Sequence, residues 1–273
     1  MSQYTKSKRS ARWMRRAALI GKPLPTSQRI GLGFIGIVVV LLVWQLTATF
    51  KLANPILVSS PIKVVKTGFE LTNSGVLGTA VASTGKLFLI SISISIVSGV
   101  LIGAVIGWYR MINGLMDPLV SIAYATPRIA LIPLITVWFG IGFEARVLIV
   151  WMLAVFPIII NVASGVGSID RDLVEVSRSF LGKSTDILRH VAIPGAVPAI
   201  VSGIRQGILL GLIGVVVAEY FVGDTGVGGL IFNAGLVLNT GIVYLGALVF
   251  AGTALVLTML LKMVERRVDK WRV

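Results

Sequence analysis

The chain has no cysteine, a single histidine and few charged residues, which make up 13% of its 273 positions. The absence of cysteine excludes disulfides, thiolate catalysis and metal binding through sulfur. A histidine-based metal site within one chain is not expected either, because His190 is the only imidazole. No carboxylate pair and no Ser–His–Asp arrangement predicts catalysis. The sequence therefore gives no support for an enzyme or for a resident metal.

Apolar residues, in contrast, are abundant, at 56% of the chain. A soluble domain of this length cannot bury so much apolar surface, so lipid must be part of its solvent. Backbone groups cannot remain unpaired in lipid, which predicts helices for the long apolar runs. We expect an all-α membrane protein with six transmembrane helices, at residues 30–50, 87–107, 118–140, 147–166, 198–218 and 242–261.

The net charge of +14 follows the pattern of a membrane topology signal. Every charged residue before position 30 is basic, the last residues are also rich in Lys and Arg, and residues 219–241 contain neither. The positive-inside rule then places both termini in the cytoplasm. We expect a basic tail at 1–29, a transmembrane domain at 30–262 and a second basic tail at 263–273. No nucleic-acid partner is expected, since the bilayer accounts for this charge.

A polar segment interrupts the apolar runs between the fourth and fifth spans, at residues 175–194. Its pattern predicts two brief amphipathic helices with a glycine turn between them, and Ser184 as the N-cap of the second. One apolar face of the first helix comprises Leu173, Val176, Phe180 and Leu181. Such an element on the cytoplasmic side favours docking of a soluble partner. The alternative is an interfacial helix that rests on lipid headgroups.

Glycines four residues apart occur in the second and fifth spans, at Gly99, Gly103 and Gly107 and at Gly203, Gly207 and Gly211. Small residues at this spacing let helix backbones approach closely in lipid. We expect both ridges to pack within one subunit, with a contact between subunits as the secondary possibility. The two helices that carry them are the predicted centre of the bundle.

Prolines interrupt the third and fourth spans, and Arg128 directly follows Pro127. A charge at membrane depth is a candidate for a functional role, so Arg128 and Pro127 are predicted to lie in the substrate path. The alternative for Arg128 is that it snorkels to an interface. Glu219, at the end of the fifth span, is a further candidate as a gate residue or ion-pair member, or else an interfacial carboxylate.

The polar segment resembles the EAA motif of ABC importer permeases. Its glutamate, central glycine and final proline correspond to Glu175, Gly182 and Pro194. Three further blocks resemble the sulfonate, taurine and nitrate branch of this family: IPLITVWFGIG at 132–142, FPIIINVASGVGSID at 156–170 and AEYFVGDTGVGGLI at 218–231. Val176-Ser177 replaces the usual Ala-Ala, and Leu181 stands where the glycine is usual. Because the length of the motif is unchanged, we expect the turn to be shifted by one residue.

The resemblance implies a type I ABC importer permease with a coupling loop at about 168–195. Its ATPase-coupling residues are then Glu175, Val176, Ser177, Arg178, Phe180, Gly182, Lys183 and Pro194. It implies a homodimer in a bacterial inner or plasma membrane, two cytoplasmic ATPase subunits and an extracytoplasmic solute-binding protein. ATP and Mg would bind to the ATPases, which carry out hydrolysis, and no cofactor to this chain. The implied solute is a small anion: a sulfonate, taurine, nitrate or an aromatic acid.

Two other hypotheses are consistent with parts of the sequence. Six spans with broken helices are also found in stand-alone secondary transporters, although these often show internal repeats that are not evident here. A membrane anchor or sensor would account for the basic tails, but it leaves the polar segment and the proline breaks without a purpose.

Overall fold

A computed structural model describes residues 26–52, 54, 57–223 and 225–269. Every regular element in these ranges is helical. The basic N-terminal tail up to residue 25 and the last four residues lie outside the described residues. The helices, in chain order, are α1 (Thr26–Thr49), α2 (Pro61–Asn73), α3 (Val76–Trp108), α4 (Arg110–Ala125), α5 (Ile132–Phe139), α6 (Phe143–Gly167), α7 (Arg171–Ser179), α8 (Ser184–Ile187), α9 (Ile193–Val222), α10 (Gly226–Leu236) and α11 (Thr240–Asp269).

The chain divides into two compact units, residues 1–61 and residues 62–273. The first contains α1, whose side chains are largely exposed within the unit, as expected for a helix that faces lipid. The loop after α1 returns to it, since Trp44 Nε1 donates a hydrogen bond to the Ser59 carbonyl oxygen at 2.7 Å. The second unit contains all the other helices.

The six predicted spans are confirmed in type and order. Five helices are long and apolar enough to cross a membrane, and the bent pair formed by α4 and α5 makes six when it is counted as one span. The second span is longer than predicted, because α3 begins at Val76 rather than at residue 87. The third span is broken: α4 ends at Ala125, and the 3-10 turn Arg128–Leu131 with α5 continues at 84° to it. The short helices α2 and α10 were not predicted, because neither is a long apolar run.

Helix α6 lies at the centre of the second unit, between α3 and α9. Both glycine ridges face it. A Cβ atom at Gly103 would lie 2.8 Å from the Ile159 carbonyl oxygen, and one at Gly207 would lie 2.8 Å from that of Ala154. The ridges therefore pack within one subunit, as predicted. The predicted centre was wrong, because the glycines of α3 and α9 are the small surfaces onto which the bulky side chains of α6 pack.

The polar segment departs from the predicted pair of brief helices. Helix α7 is separate, but the second predicted helix continues into the membrane. Helix α8, a π-helical turn (Leu188–Ala192) and α9 form one span-length element from Ser184 to Val222. Ser184 is the first residue of α8 and Lys183 its N-cap, one residue before the predicted cap. The predicted break was wrong because the π turn accommodates Pro194, as described below.

Candidate functional site

The coupling segment, residues 168–195, begins with the amphipathic helix α7. The Asp170 side chain caps this helix by accepting a hydrogen bond from the Asp172 amide at 3.0 Å. Leu173, Val176 and Phe180, predicted to share one face, are 54%, 55% and 83% exposed. No helix in the described part of the chain packs extensively against α7. The helix therefore presents an apolar stripe that this chain does not cover.

Helix α7 ends in a Schellman turn. The Gly182 amide donates to the Ser177 carbonyl oxygen at 3.0 Å, and the Leu181 amide donates to that of Arg178 at 2.9 Å. The left-handed residue of this turn is Leu181, with φ of 60°. The predicted shift of the turn is therefore wrong, since the left-handed residue keeps the position where the motif usually has glycine.

Gly182 has a different role in the turn. A Cβ atom there would lie 2.8 Å from the Ser177 carbonyl oxygen, the atom that accepts the turn's own hydrogen bond. The glycine is required by close packing, whereas the strained dihedral angle falls on Leu181, whose side chain is 92% exposed. Leucine at this position costs about 1–2 kcal/mol relative to glycine.

The second half of the coupling segment joins the membrane helix without a break. Pro194 has no amide hydrogen, so it cannot bond as a regular helical residue would. The π turn before it widens the helix, and the Ile193 amide donates to the Leu188 carbonyl oxygen. Helices α8 and α9 are thus parts of one continuous element. Lys183 is exposed at the start of this element.

Arg128 lies at the 84° break between α4 and α5, directly after Pro127. Its Nη1 donates long hydrogen bonds to the carbonyl oxygens of Met152 and Leu153, at 3.3 and 3.4 Å. The Leu153 carbonyl has no helical partner, because the residue four positions later is Pro157. Arg128 thus satisfies an oxygen that the proline leaves free. No local pattern in the sequence indicates this contact between two interrupted spans.

The Arg128 guanidinium also packs between aromatic rings. Its centre lies 4.9 Å from the Tyr124 ring and 5.6 Å from the Phe156 ring, and Nη2 donates to the Tyr124 carbonyl oxygen at 3.4 Å. The guanidinium has five N–H groups, of which these bonds occupy three. Arg128 is half-buried, and its two remaining N–H groups take part in none of these contacts.

Glu219 is completely buried near the end of α9. Both carboxylate oxygens accept from the Thr84 hydroxyl, at 2.8 and 2.9 Å, and Oε2 also accepts from the Gly228 amide at 2.8 Å. The Thr84 oxygen in turn accepts from the Val227 amide at 2.9 Å. The Thr84 hydroxyl and the Gly228 amide thus hold the carboxyl group of Glu219 in one position. Glu219 thereby ties the first turn of α10 to α3 and α9.

Arg146 supports the same region from α6. It is 8% exposed, and its Nη1 donates to the Thr225 hydroxyl at 2.7 Å. Gly226, with φ of 86°, and Gly228 lie against the Glu219 side chain with no room for a Cβ atom. The end of the fifth span indicates Glu219 from the sequence alone. Arg146 and Thr84 are not indicated, because their partners are far away along the chain.

A second polar pair was missed on α9. Arg205 Nη1 forms an ion pair with Glu265 of α11 at 2.9 Å. The adjacent Gln206 accepts a long hydrogen bond, 3.4 Å, from the Asn161 amide of α6. Arg205 lies within the span predicted at 198–218, so a charged residue inside an apolar run is the sequence feature that indicates it. In the described part of the chain, no group of three His, Asp or Glu side chains converges to hold a metal.

Comparison with known proteins identifies the family. The model of the "binding-protein-dependent transport system inner membrane component" matches residues 95–270. An aliphatic sulfonate transport permease protein of Escherichia coli, SsuC, is 34% identical over 73% of this chain and 75% of its own length. The taurine transport permease protein TauC of the same species is 26% identical over 90% of this chain and 92% of its own.

The fold agrees with this family. The inward-facing MetNI methionine ABC transporter contains a chain that is 21% identical, with a TM-score of 0.63 over 72% of this chain and 98% of that one. An amino acid ABC transporter gives a TM-score of 0.60 at 18% identity. The helical architecture is that of type I importer permeases. The chain belongs to the family of binding-protein-dependent transport system inner membrane components and is a multi-pass permease subunit of an ATP-driven ABC importer.

Proposed function

We propose that this permease imports a small anionic solute, such as a sulfonate, taurine, nitrate or an aromatic acid. Two copies of the chain form the pathway, and each holds one cytoplasmic ATPase subunit through its coupling segment. An extracytoplasmic binding protein delivers the solute. Both termini of the permease lie in the cytoplasm of a bacterial cell. ATP and Mg bind to the ATPase pair, so this chain has no enzymatic role and no cofactor of its own.

The observation that carries this proposal is the uncovered apolar stripe of α7. Its three apolar side chains are more than half exposed, although they belong to a well-capped helix with a bonded C-terminal turn. A rigid helix that shows apolar residues to water fits a groove on a partner. The charged residues Glu175 and Arg178 lie toward the opposite side and suit the polar rim of such an interface.

Mechanical coupling follows from the continuity of α8, the π turn and α9. When ATP closes the ATPase pair, the coupling segment moves with it, and the unbroken element carries that movement to the buried face of α9. Tight glycine packing makes α9 and α6 move together. The permease thereby alternates between two packed arrangements instead of deforming continuously.

The anionic solute class is supported by Arg128. A half-buried guanidinium with unused N–H groups at a helix break matches a sulfonate or carboxylate group. TauC and SsuC are named for taurine and aliphatic sulfonates. However, a relative from Chloroflexus aurantiacus, 27% identical over 87% of this chain, is named for riboflavin, so relatedness alone does not select the solute.

A stand-alone secondary transporter is not favoured, because the matched family works with ATPase partners. The two functions make opposite predictions for the purified permease. An ATP-driven importer requires its ATPase for uptake, whereas a secondary transporter takes up solute when an ion gradient alone is imposed.

Docking is tested by placing charges on the apolar stripe. We expect the double variant Val176→Asp/Phe180→Asp to reduce co-purification of the ATPase at least tenfold, since losing ~1.4 kcal/mol of binding free energy already has that effect. The matched control is Met263→Asp/Val264→Asp, which adds the same two charges at exposed apolar positions near the end of α11, outside the coupling segment. The control should retain the ATPase, and both variants should insert into the membrane normally.

The proposal would be refuted if the double variant kept both the ATPase and ATP-driven uptake. A role on lipid headgroups predicts a different pattern. In that case membrane insertion falls in the double variant, while the ratio of ATPase to permease stays constant.

A further inference from the structure

A half-open cavity of about 440 Å³, lined by polar and apolar residues, lies between α3, α4 and α6, at the end of the bundle where the coupling segment begins. Its polar lining residues are Asn113, Asp117, Ser121, Ser164 and Ser168. Three of them, Asn113, Asp117 and Ser121, are spaced i, i+4, i+8 along α4 and so form one face of that helix. All five are exposed in the chain.

This face cannot lie against lipid. Asp117 is seven residues into α4, about 10 Å from its start at Arg110. Asp117 directly precedes the third span predicted at 118–140, and a carboxylate at that position requires water or a partner charge. Asp117 has no ion pair with any residue that the structure describes. The face must therefore border water or the second copy of the chain.

The opposite charge, that of Arg128, lies just beyond the other end of the same helix. Helix α4 ends at Ala125, about 12 Å beyond Asp117, and Arg128 follows at the break. A solute the size of taurine cannot touch both groups at once, so it meets them in turn. A purely anionic solute that leaves Arg128 would be repelled by Asp117, whereas an ammonium group on the solute would be attracted.

We propose that this cavity is the water-filled inner vestibule of the solute path, and that Asp117 makes the path selective for small zwitterions, namely amino sulfonates or amino carboxylates. The proposal rests on the proposed function, because it assumes an importer whose coupling segment faces the cytoplasm. Arg128 receives the anionic end of the solute, and Asp117 receives its ammonium group nearer the cytoplasm.

The vestibule is tested by thiol labelling, which does not depend on transport. The natural chain has no cysteine, so an introduced cysteine is the sole thiol that can react with the reagent. Inside-out membrane vesicles carrying Ser121→Cys or Ser164→Cys are treated with two membrane-impermeant methanethiosulfonates, one cationic and one anionic. We expect both positions to react. The matched control is Leu119→Cys, 54% exposed on the opposite face of α4, which should stay unlabelled.

The charge of the vestibule is read from the ratio of the two labelling rates. A carboxylate one helical turn from Ser121 should favour the cationic reagent about fivefold to tenfold at low ionic strength, relative to a free thiol. Adding Asp117→Asn should remove this preference. The vestibule proposal would be overturned if neither cysteine were labelled, or if the ratio of labelling rates did not change in Asp117→Asn. Either result would count even if ATP-driven transport were established.

The solute class is tested with the assembled transporter, including its binding protein, in proteoliposomes. The probes are two matched pairs, taurine with isethionate and β-alanine with 3-hydroxypropionate, in which a hydroxyl replaces the ammonium group. We expect preference for the zwitterion in at least one pair, and at least a threefold smaller preference in Asp117→Asn. The binding protein is unchanged, so that shift belongs to the permease. Equal transport within pairs, transport of no probe, or an unchanged preference would overturn the zwitterion assignment.

Discussion

The most stringent prediction concerns the buried carboxylate of Glu219. Glu219→Leu removes every acceptor that its oxygens provide and leaves the Thr84 hydroxyl and the Gly228 amide without their partner. Each buried donor that loses its partner costs about 1–3 kcal/mol, so the variant, which leaves two such donors, should lose about 2–6 kcal/mol of stability. For a chain of this size that loss lowers the melting temperature by roughly 5–15 °C.

The substitution Glu219→Gln removes the carboxylate but keeps the shape of the side chain. Its amide oxygen can still accept from Gly228, but its NH2 group cannot accept from the Thr84 hydroxyl as the Glu219 oxygen does. We expect an intermediate loss of melting temperature in detergent solution. The control is Glu70→Leu, which removes an exposed carboxylate on α2 and should melt as the wild type does. If Glu219→Leu melted no lower than Glu70→Leu, the network would not hold α10 in place.

Two further predictions test the packing and the coupling turn. Gly103→Val should reduce the yield of monodisperse protein, because it forces a side chain onto Ile159 at a cost of about 1–3 kcal/mol or more, whereas Gly114→Ala, with open space around it, should not. Leu181→Gly should relieve a left-handed leucine and stabilise the turn by about 1 kcal/mol, which slows amide hydrogen exchange at Gly182; faster exchange there would contradict the strain.

Much of the membrane architecture was predictable from the sequence. Hydropathy reports how much apolar surface each run must place in lipid, and it located six crossings. Glycine spacing located the two close helix contacts, because only a missing side chain permits such an approach. The amphipathic period of α7 identified a stripe that the rest of the chain leaves uncovered.

The contacts between distant residues were not predictable in the same way. Thr84 and Glu219 are 135 positions apart, and no local period links a threonine in one span to a carboxylate in another. The identity of α6 as the central helix was also hidden, since its own sequence has the bulky residues and its neighbours have the glycines. A glycine ridge indicates that another helix packs against it, but it does not identify which helix.

The coupling turn shows how a correct motif can give a wrong geometry. A glycine beside a helix end ordinarily indicates the left-handed residue, which predicts Gly182 for that position. The hydrogen bonds place the left-handed residue one position earlier, at Leu181, and use Gly182 for its lack of a side chain against the Ser177 oxygen. A glycine has two separate physical uses, a free φ and a small volume, and a single sequence does not distinguish them. Only the turn's own hydrogen bonds do, which makes Leu181 the position where this permease carries strain in its coupling segment.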